Sequence, residues 1–242
     1  MDRLIYLSMS AAKATMQRQE VLSHNLANVS TNGFRAELAA FRAVPVEGDG
    51  ASTRVYALES TVGYSQDAGV MSSTGRNLDV AMKGKAWLAV QALDGTEAYT
   101  RAGALEVNAE GTLVDIAGRP VLGDGGPITV PANAAVDIGP DGSVSAKVGN
   151  GRPQTVGRLK LVTPEEALQR GTDGLFRSAA GDPLPADANA RVQSGSLEGS
   201  NVNAIETMVA MISAARQFEQ QMKMLQSAEQ QEQSATKLLA AT

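Results

Sequence analysis

Apolar residues recur at helical spacing near both ends of the chain and at strand spacing between them. Toward the C-terminus Met208, Met211, Ala215, Phe218, Met222 and Leu225 follow at alternating steps of three and four, with Ile205, Val209 and Ile212 widening the stripe. A helix with such a seam needs a second helix to cover it. The N-terminal stretch offers one, because Ile5, Met9, Ala12, Met16, Leu22 and Leu26 fall roughly on one face, between Lys13, Arg18 and Glu20 on the others. The pattern predicts a first helix over 3–31, stopped at Asn32-Gly33, where Gly accepts a left-handed backbone and Asn is tolerated better than a β-branched residue. A second helix is predicted to about Leu239, capped by Asn203 with Glu206 three positions on. The fold expected is α+β, its terminal helices paired as a coiled coil around an inserted all-β, hairpin-rich domain.

Between residues 77 and 162 short apolar runs alternate with turn pairs such as Asp94-Gly95, Glu110-Gly111, Asp141-Gly142 and Asn150-Gly151, the punctuation of tight hairpins. Thr163-Pro164-Glu165-Glu166 has the form of a capping box and predicts a short closing helix. The organisation expected is the N-terminal helix of an inner domain over 1–35, an extended connector over 36–76 and a central β domain over 77–170. A returning connector over 171–200 then leads to the C-terminal helix over 201–242. Within the first connector, Glu47–Thr53 is polar and Arg54–Leu58 reads as a strand.

Composition narrows the function. A net charge of −5, with basic residues gathered in no run, argues against nucleic-acid binding. With no cysteine and one histidine, disulfides and thiolate or His-based metal sites are not expected. The opening lacks the long apolar core of a secretory signal, and no stretch approaches the roughly 20 apolar residues of a membrane span. No nucleophile elbow, phosphate loop or dinucleotide fingerprint is present. Ser23-His24 lies inside the first predicted helix, where neighbours point about 100° apart, and Trp87, flanked by Ala86 and Leu88, reads as core. Catalytic, cofactor-binding and metal residues are all expected to be none. The Met-rich stretch Met208, Met211, Met222 and Met224 reads equally as core filler or as an adaptable surface.

The stretch Asn25-Leu26-Ala27-Asn28-Val29-Ser30-Thr31-Asn32-Gly33-Phe34 resembles the N-terminal signature of the bacterial flagellar axial proteins of rod, hook and hook-associated type. Leu197-Glu198-Gly199-Ser200-Asn201-Val202-Asn203 and Arg216-Gln217-Phe218-Glu219 resemble the C-terminal signature of that family. Leu78 to Gly84 and Ala98 to Gly103 resemble the start of its central domain. The opening Met1–Tyr6, Gly123–Ile128 and Phe218–Leu225 are most similar to the proximal rod type. The longer distal rod protein is the nearest competitor. Ala214-Ala215 departs from the Gln that the family often carries before the Arg.

The resemblance implies a structural subunit of the basal-body rod that polymerises helically through its terminal helices and transmits motor torque. Its implied partners are other rod subunits, copies of itself and the flagellar type III export apparatus, with no cofactor, no nucleic acid and no membrane span. The implied location is the periplasm-spanning rod, reached without a cleavable signal peptide. Within the family a distal rod or hook-type protein is the alternative. From another class the rival is a secreted β domain that binds or acts on carbohydrate or peptidoglycan, with the helices as an oligomerisation stalk. A cleft holding two carboxylates of raised pKa beside Trp87 would favour that rival.

Overall fold

The computed structural model describes residues 2–45 and 55–240, the side chains of 2–5, 7, 43, 55–62, 232 and 235–240 excepted. The chain is α+β, with one helix at each end and a β-rich centre. It divides into a terminal unit (1–29, 36–65 and 202–242) and a central unit (30–35 and 66–201), so the backbone passes from one to the other four times.

In the terminal unit, helix α1 (Asp2–Ala27) packs against helix α2 (Ala204–Ala240) and against a ribbon of two long antiparallel strands, β1 (Glu37–Pro45) and β2 (Val55–Tyr64). The stretch 36–76 is thus not simply an extended connector, since Glu37–Pro45 and Val55–Tyr64 within it pair as this ribbon. A two-stranded hairpin is marginal alone and here lies on a helix, with the Arg18 guanidinium 5.7 Å over the Phe41 ring. The strand expected at Arg54–Leu58 is the start of β2 apart from Arg54, which, like the polar Glu47–Thr53, lies outside the described residues. Helix α2 begins as predicted. Asn203 Oδ1 accepts from the N–H groups of Ile205 at 3.1 Å and Glu206 at 3.3 Å, satisfying donors that the first turn leaves open. Helix α1 stops at Ala27, four residues short of the predicted 31.

The central unit is built from short strands. Strand β3 (Met71–Ser73) pairs with Ser196–Glu198, and β4 (Val80–Met82) with Val192–Ser194. Strands β5 (Trp87–Gln91) and β6 (Glu97–Thr100) lie in a five-stranded sheet between Leu161–Val162 on one side and Phe176–Arg177 and Gln169–Arg170 on the other. Ala134–Ile138, Ser143–Val148 and Gln154–Arg158 form a three-stranded meander. The expected returning connector over 171–200 therefore supplies strands to this unit. The helix expected after Thr163 does not form, because Leu168 is buried and a strand begins at Gln169, leaving too few residues for a stable turn. Thr163 spends its hydroxyl instead on Asp187, at 2.7 Å. One apolar core spans the unit and includes Val80, Leu88, Leu113, Val121, Val144 and Leu161, each at most 2% exposed.

Candidate functional site

Two features carry what this chain can do: the helix faces of the terminal unit and a charge cluster in the central one. On α2 the inward line is Thr207, Met211, Ala214, Phe218, Gln221, Leu225 and Ala228, again at steps of four and three, of which Thr207, Ala214 and Ala228 are buried and the others half-buried. Of the expected seam, Met211, Phe218 and Leu225 lie on this line, whereas Met208 and Met222 are exposed and Ala215 is only half-buried, each one position away from an inward residue. The cause is the width of the apolar stripe, which left the sequence pattern unable to choose a line. Small residues decide it, as they do on α1, where Ser8, Ala12, Ala14 and Thr15 are buried and Thr15 Oγ1 donates to Gln221 Oε1 at 3.2 Å. On α1, Ala12, Leu22 and Leu26 turn inward as expected. Met9 and Met16 are exposed, contrary to expectation, and the side chain of Ile5 lies outside those described.

The outcome is a second stripe on α2. Ile205 (76% exposed), Met208 and Ile212 (55%) keep the same three-and-four spacing beside the inward line, joined by Val209 and facing solvent, and Met222, also exposed, follows ten residues on beyond Ala215 and Glu219.

The signature residues divide between the two units. Buried Asn25 binds the backbone of Glu37 with both ends of its amide, Oδ1 accepting from the N–H at 2.8 Å and Nδ2 donating to the carbonyl at 2.9 Å. It thereby fixes where β1 starts against the end of α1. Leu26 is half-buried, Ala27 ends the helix, Asn28 Nδ2 donates to His24 O at 2.9 Å, and His24 Nδ1 lies 3.2 Å from Glu37 Oε2. Val202, half-buried, begins the return to this unit.

The rest of the signature lies in the central unit. The Thr31 carbonyl accepts from Phe34 N–H at 3.2 Å, and the buried Phe34 ring lies 4.4 Å beneath the Arg170 guanidinium. Gly33 has φ 70° and donates its N–H to Glu198 O at 2.7 Å. A Cβ on Gly33 would stand 2.2 Å from the Arg101 carbonyl carbon, so Asn is excluded there as firmly as Val, contrary to expectation. Asn201 donates its N–H to Phe34 O at 3.3 Å and its Nδ2 to Asp67 O at 2.9 Å, while the adjoining Ser200 is half-buried.

At the centre of these segments sit three charges that no site assignment from the sequence included. Arg35, Arg101 and Glu198 are 3%, 2% and 1% exposed. Glu198 Oε1 accepts from Arg35 Nη2 at 2.7 Å and from Gly69 N–H at 3.0 Å, and Oε2 from Arg101 Nε at 2.8 Å and Nη2 at 2.5 Å. Arg101 places its remaining N–H groups on the carbonyls of Met82, Gly84 and Ala86, so all five of its donors are used. Arg101 and Glu198 stand inside the signature stretches and Arg35 beside one, and the recurrence of charged residues in those stretches is the signal that could have pointed to them.

Comparison with known proteins then decides the family. Residues 5–35 match the model of flagella basal body rod proteins, 81–146 that of the flagellar hook protein FlgE/F/G D1 domain, and 193–238 that of the flagellar basal body rod FlgEFG protein C-terminal region. The chain is 48% identical to the flagellar basal-body rod protein FlgF of Salmonella typhimurium and 48% identical to FlgF of Escherichia coli, in each case over 99% of both sequences. The chain belongs to the flagellar basal-body rod proteins. Its likeness to the rod protein FlgG of Agrobacterium fabrum is lower, 30% identity over 94% of this chain and 96% of that one. It is a structural subunit of the flagellar basal body, not an enzyme.

The geometry of the central unit agrees with a rod protein. A cavity of about 610 Å³ is lined by Glu97, Asp124, Lys160 and Asp187 among others. Two of its carboxylates are engaged: Glu97 pairs with Lys160 at 2.7 Å, and Thr163 and the Asn189 N–H hold Asp187 below the usual carboxylate range, the reverse of a general acid. Trp87 is buried against Phe176, ring centroids 4.7 Å apart, and offers no stacking surface. Among the described residues, no group of His, Asp and Glu could hold a metal ion, and no helix is long and apolar enough to cross a membrane.

Proposed function

We propose that this rod subunit polymerises helically through its terminal helices, as a proximal rod component of the periplasm-spanning shaft, and passes motor torque from subunit to subunit. The observation that carries the reading is the doubled seam of α2. Its inward line, with α1, supports pairing of the two helices as a coiled coil within each subunit. Its outward line, Ile205, Met208, Val209 and Ile212 with Met222 further along, is an exposed apolar stripe left for a neighbouring subunit. Burying one such side chain contributes about 1.5–3 kcal/mol, and the gain repeats at every subunit. Delivery by the flagellar type III export apparatus rests on the family resemblance alone.

Ile212→Asp tests the reading. In the free subunit the substitution is at the surface and should shift stability by no more than about 0.5 kcal/mol. Between subunits it buries an unpaired charge. The expected result is a folded subunit in cells that build no rod and do not swim; normal motility would sink the proposal.

A further inference from the structure

The four covalent passages between the two units leave the central unit at Ser30, Arg35, Gln66 and Asn201. Each of those segments reaches Glu198 or a residue bound to it. Gly33, in the first passage, donates its N–H to the Glu198 carbonyl, and Arg35, at the second, donates to the carboxylate. Arg35 Nη1 also donates to Gln66 O at 3.2 Å, at the third passage, and Gly69 just beyond it donates to the carboxylate. Asn201, at the fourth, lies three residues after Glu198 and binds Phe34 O and Asp67 O. Arg101 then anchors the group to the loop around Gly84 and, through it, to the unit's interior. Gly69 and Gly199 stack so closely that a Cβ on Gly69 would stand 2.0 Å from the Gly199 carbonyl oxygen, which leaves the segments no slack.

We propose that the Glu198 carboxylate ties all four passages into one cooperative junction, so that none of them loosens alone. The physical reason is the shared charge. Two buried guanidinium groups divide one carboxylate: drawing Glu198 away leaves both of them buried and uncompensated, and drawing one arginine away strips the buried carboxylate of a charged donor. Whatever pulls on one passage of the chain therefore acts on the other three.

Hydrogen exchange on the full-length chain tests the junction. Glu198→Gln keeps the shape and removes the charge, and exchange at 30–35, 66–70, 101–103 and 196–201 should quicken together, by about tenfold to a hundredfold, while 105–148 stays protected. Acceleration confined to 196–201 would overturn the proposal. If the neutral variant opens the whole unit, Arg35→Met decides, since it removes one arm and leaves the Arg101–Glu198 pair. Joint acceleration at 30–35, 66–70 and 196–201 then supports the junction, and acceleration at 30–35 alone overturns it.

Discussion

In the central unit Met82, Leu88, Leu105 and Leu113 are fully buried in one cluster drawn only from residues 80–192, and the Glu198 carboxylate beside it accepts from both Arg35 and Arg101. In the terminal unit the buried positions of the helices are mostly small, and Ile205, Val209 and Ile212 face solvent. The first unit closes a large core of its own and exposes Val70, Leu93 and Ile116 singly on loops and turns, whereas the second leaves exposed apolar residues aligned along a helix. Apolar area left wet on a helix whose other face is already packed contributes nothing to the free subunit, yet it is what a polymer interface needs. On the proposed reading, stability and assembly fall to different parts of the same chain, and variants should separate them.

The largest expected effect falls on Gly33. A side chain there meets the Arg101 backbone, which cannot swing aside as a flexible side chain would, and it must also accept a left-handed φ of 70°. Overpacking costs about 1–3 kcal/mol and the conformation roughly 1–2 more, so Gly33→Ala should destabilise the central unit by about 2–5 kcal/mol. The sole tryptophan, Trp87, is buried in that unit and reports its unfolding in urea. An unshifted fluorescence midpoint, or a clear advantage of Asn over Ala at this site, would show that Gly33 is an ordinary turn residue.

A smaller effect is expected from Asn25→Ala, and in the other unit. The substitution deletes two hydrogen bonds to the Glu37 backbone at a buried position, worth about 1–3 kcal/mol where donor and acceptor are left unsatisfied. Circular dichroism should show earlier loss of helix on heating, with the Trp87 transition unmoved. If both signals shift together, the two units are not energetically separate and the contrast between them fails.

Much of this was legible in the chain. The turn pairs marked the hairpins, Asn203 marked the start of α2, and the apolar neighbours of Trp87 marked it as core. What escaped has physical causes. The ribbon β1–β2 shows no clean apolar alternation in the sequence, and it packs against α1, which local sequence does not reveal. Where the expected seam misses the inward line of α2 it does so by one position, because apolar residues such as Met208, Ile212 and Met222 directly follow inward ones and widen the stripe. The charge junction was hidden because Arg35 and Glu198 are 163 positions apart and Arg101 and Glu198 are 97, so that only a closed fold brings them together. The lone signature residues could be listed from the sequence, but their roles, such as the two-ended grip of Asn25, depend on backbone that only the fold supplies.

The smallest effect concerns acid and refines the contrast, because the carboxylates held below their usual range lie in the central unit. Asp173 is held low chiefly by its hydrogen bond to Arg177, whose Nη2 lies 2.8 Å from Asp173 Oδ2, with Leu175 N–H adding to it. A carboxyl whose pKa is depressed in the folded state stabilises that state at any pH above its unfolded value, near 3.9, and the contribution fades as the pH falls through the folded value. Both partners are near the surface, so solvent screening keeps the pair to well under about 1 kcal/mol. Asp173→Asn should therefore lower the Trp87 unfolding midpoint slightly at pH 7, and the gap from the parent chain should shrink once the pH drops below about 4. A gap that widens on acidification would reverse the assigned sign, and one that persists unchanged at pH 2 would mean that packing rather than charge holds Asp173 in place.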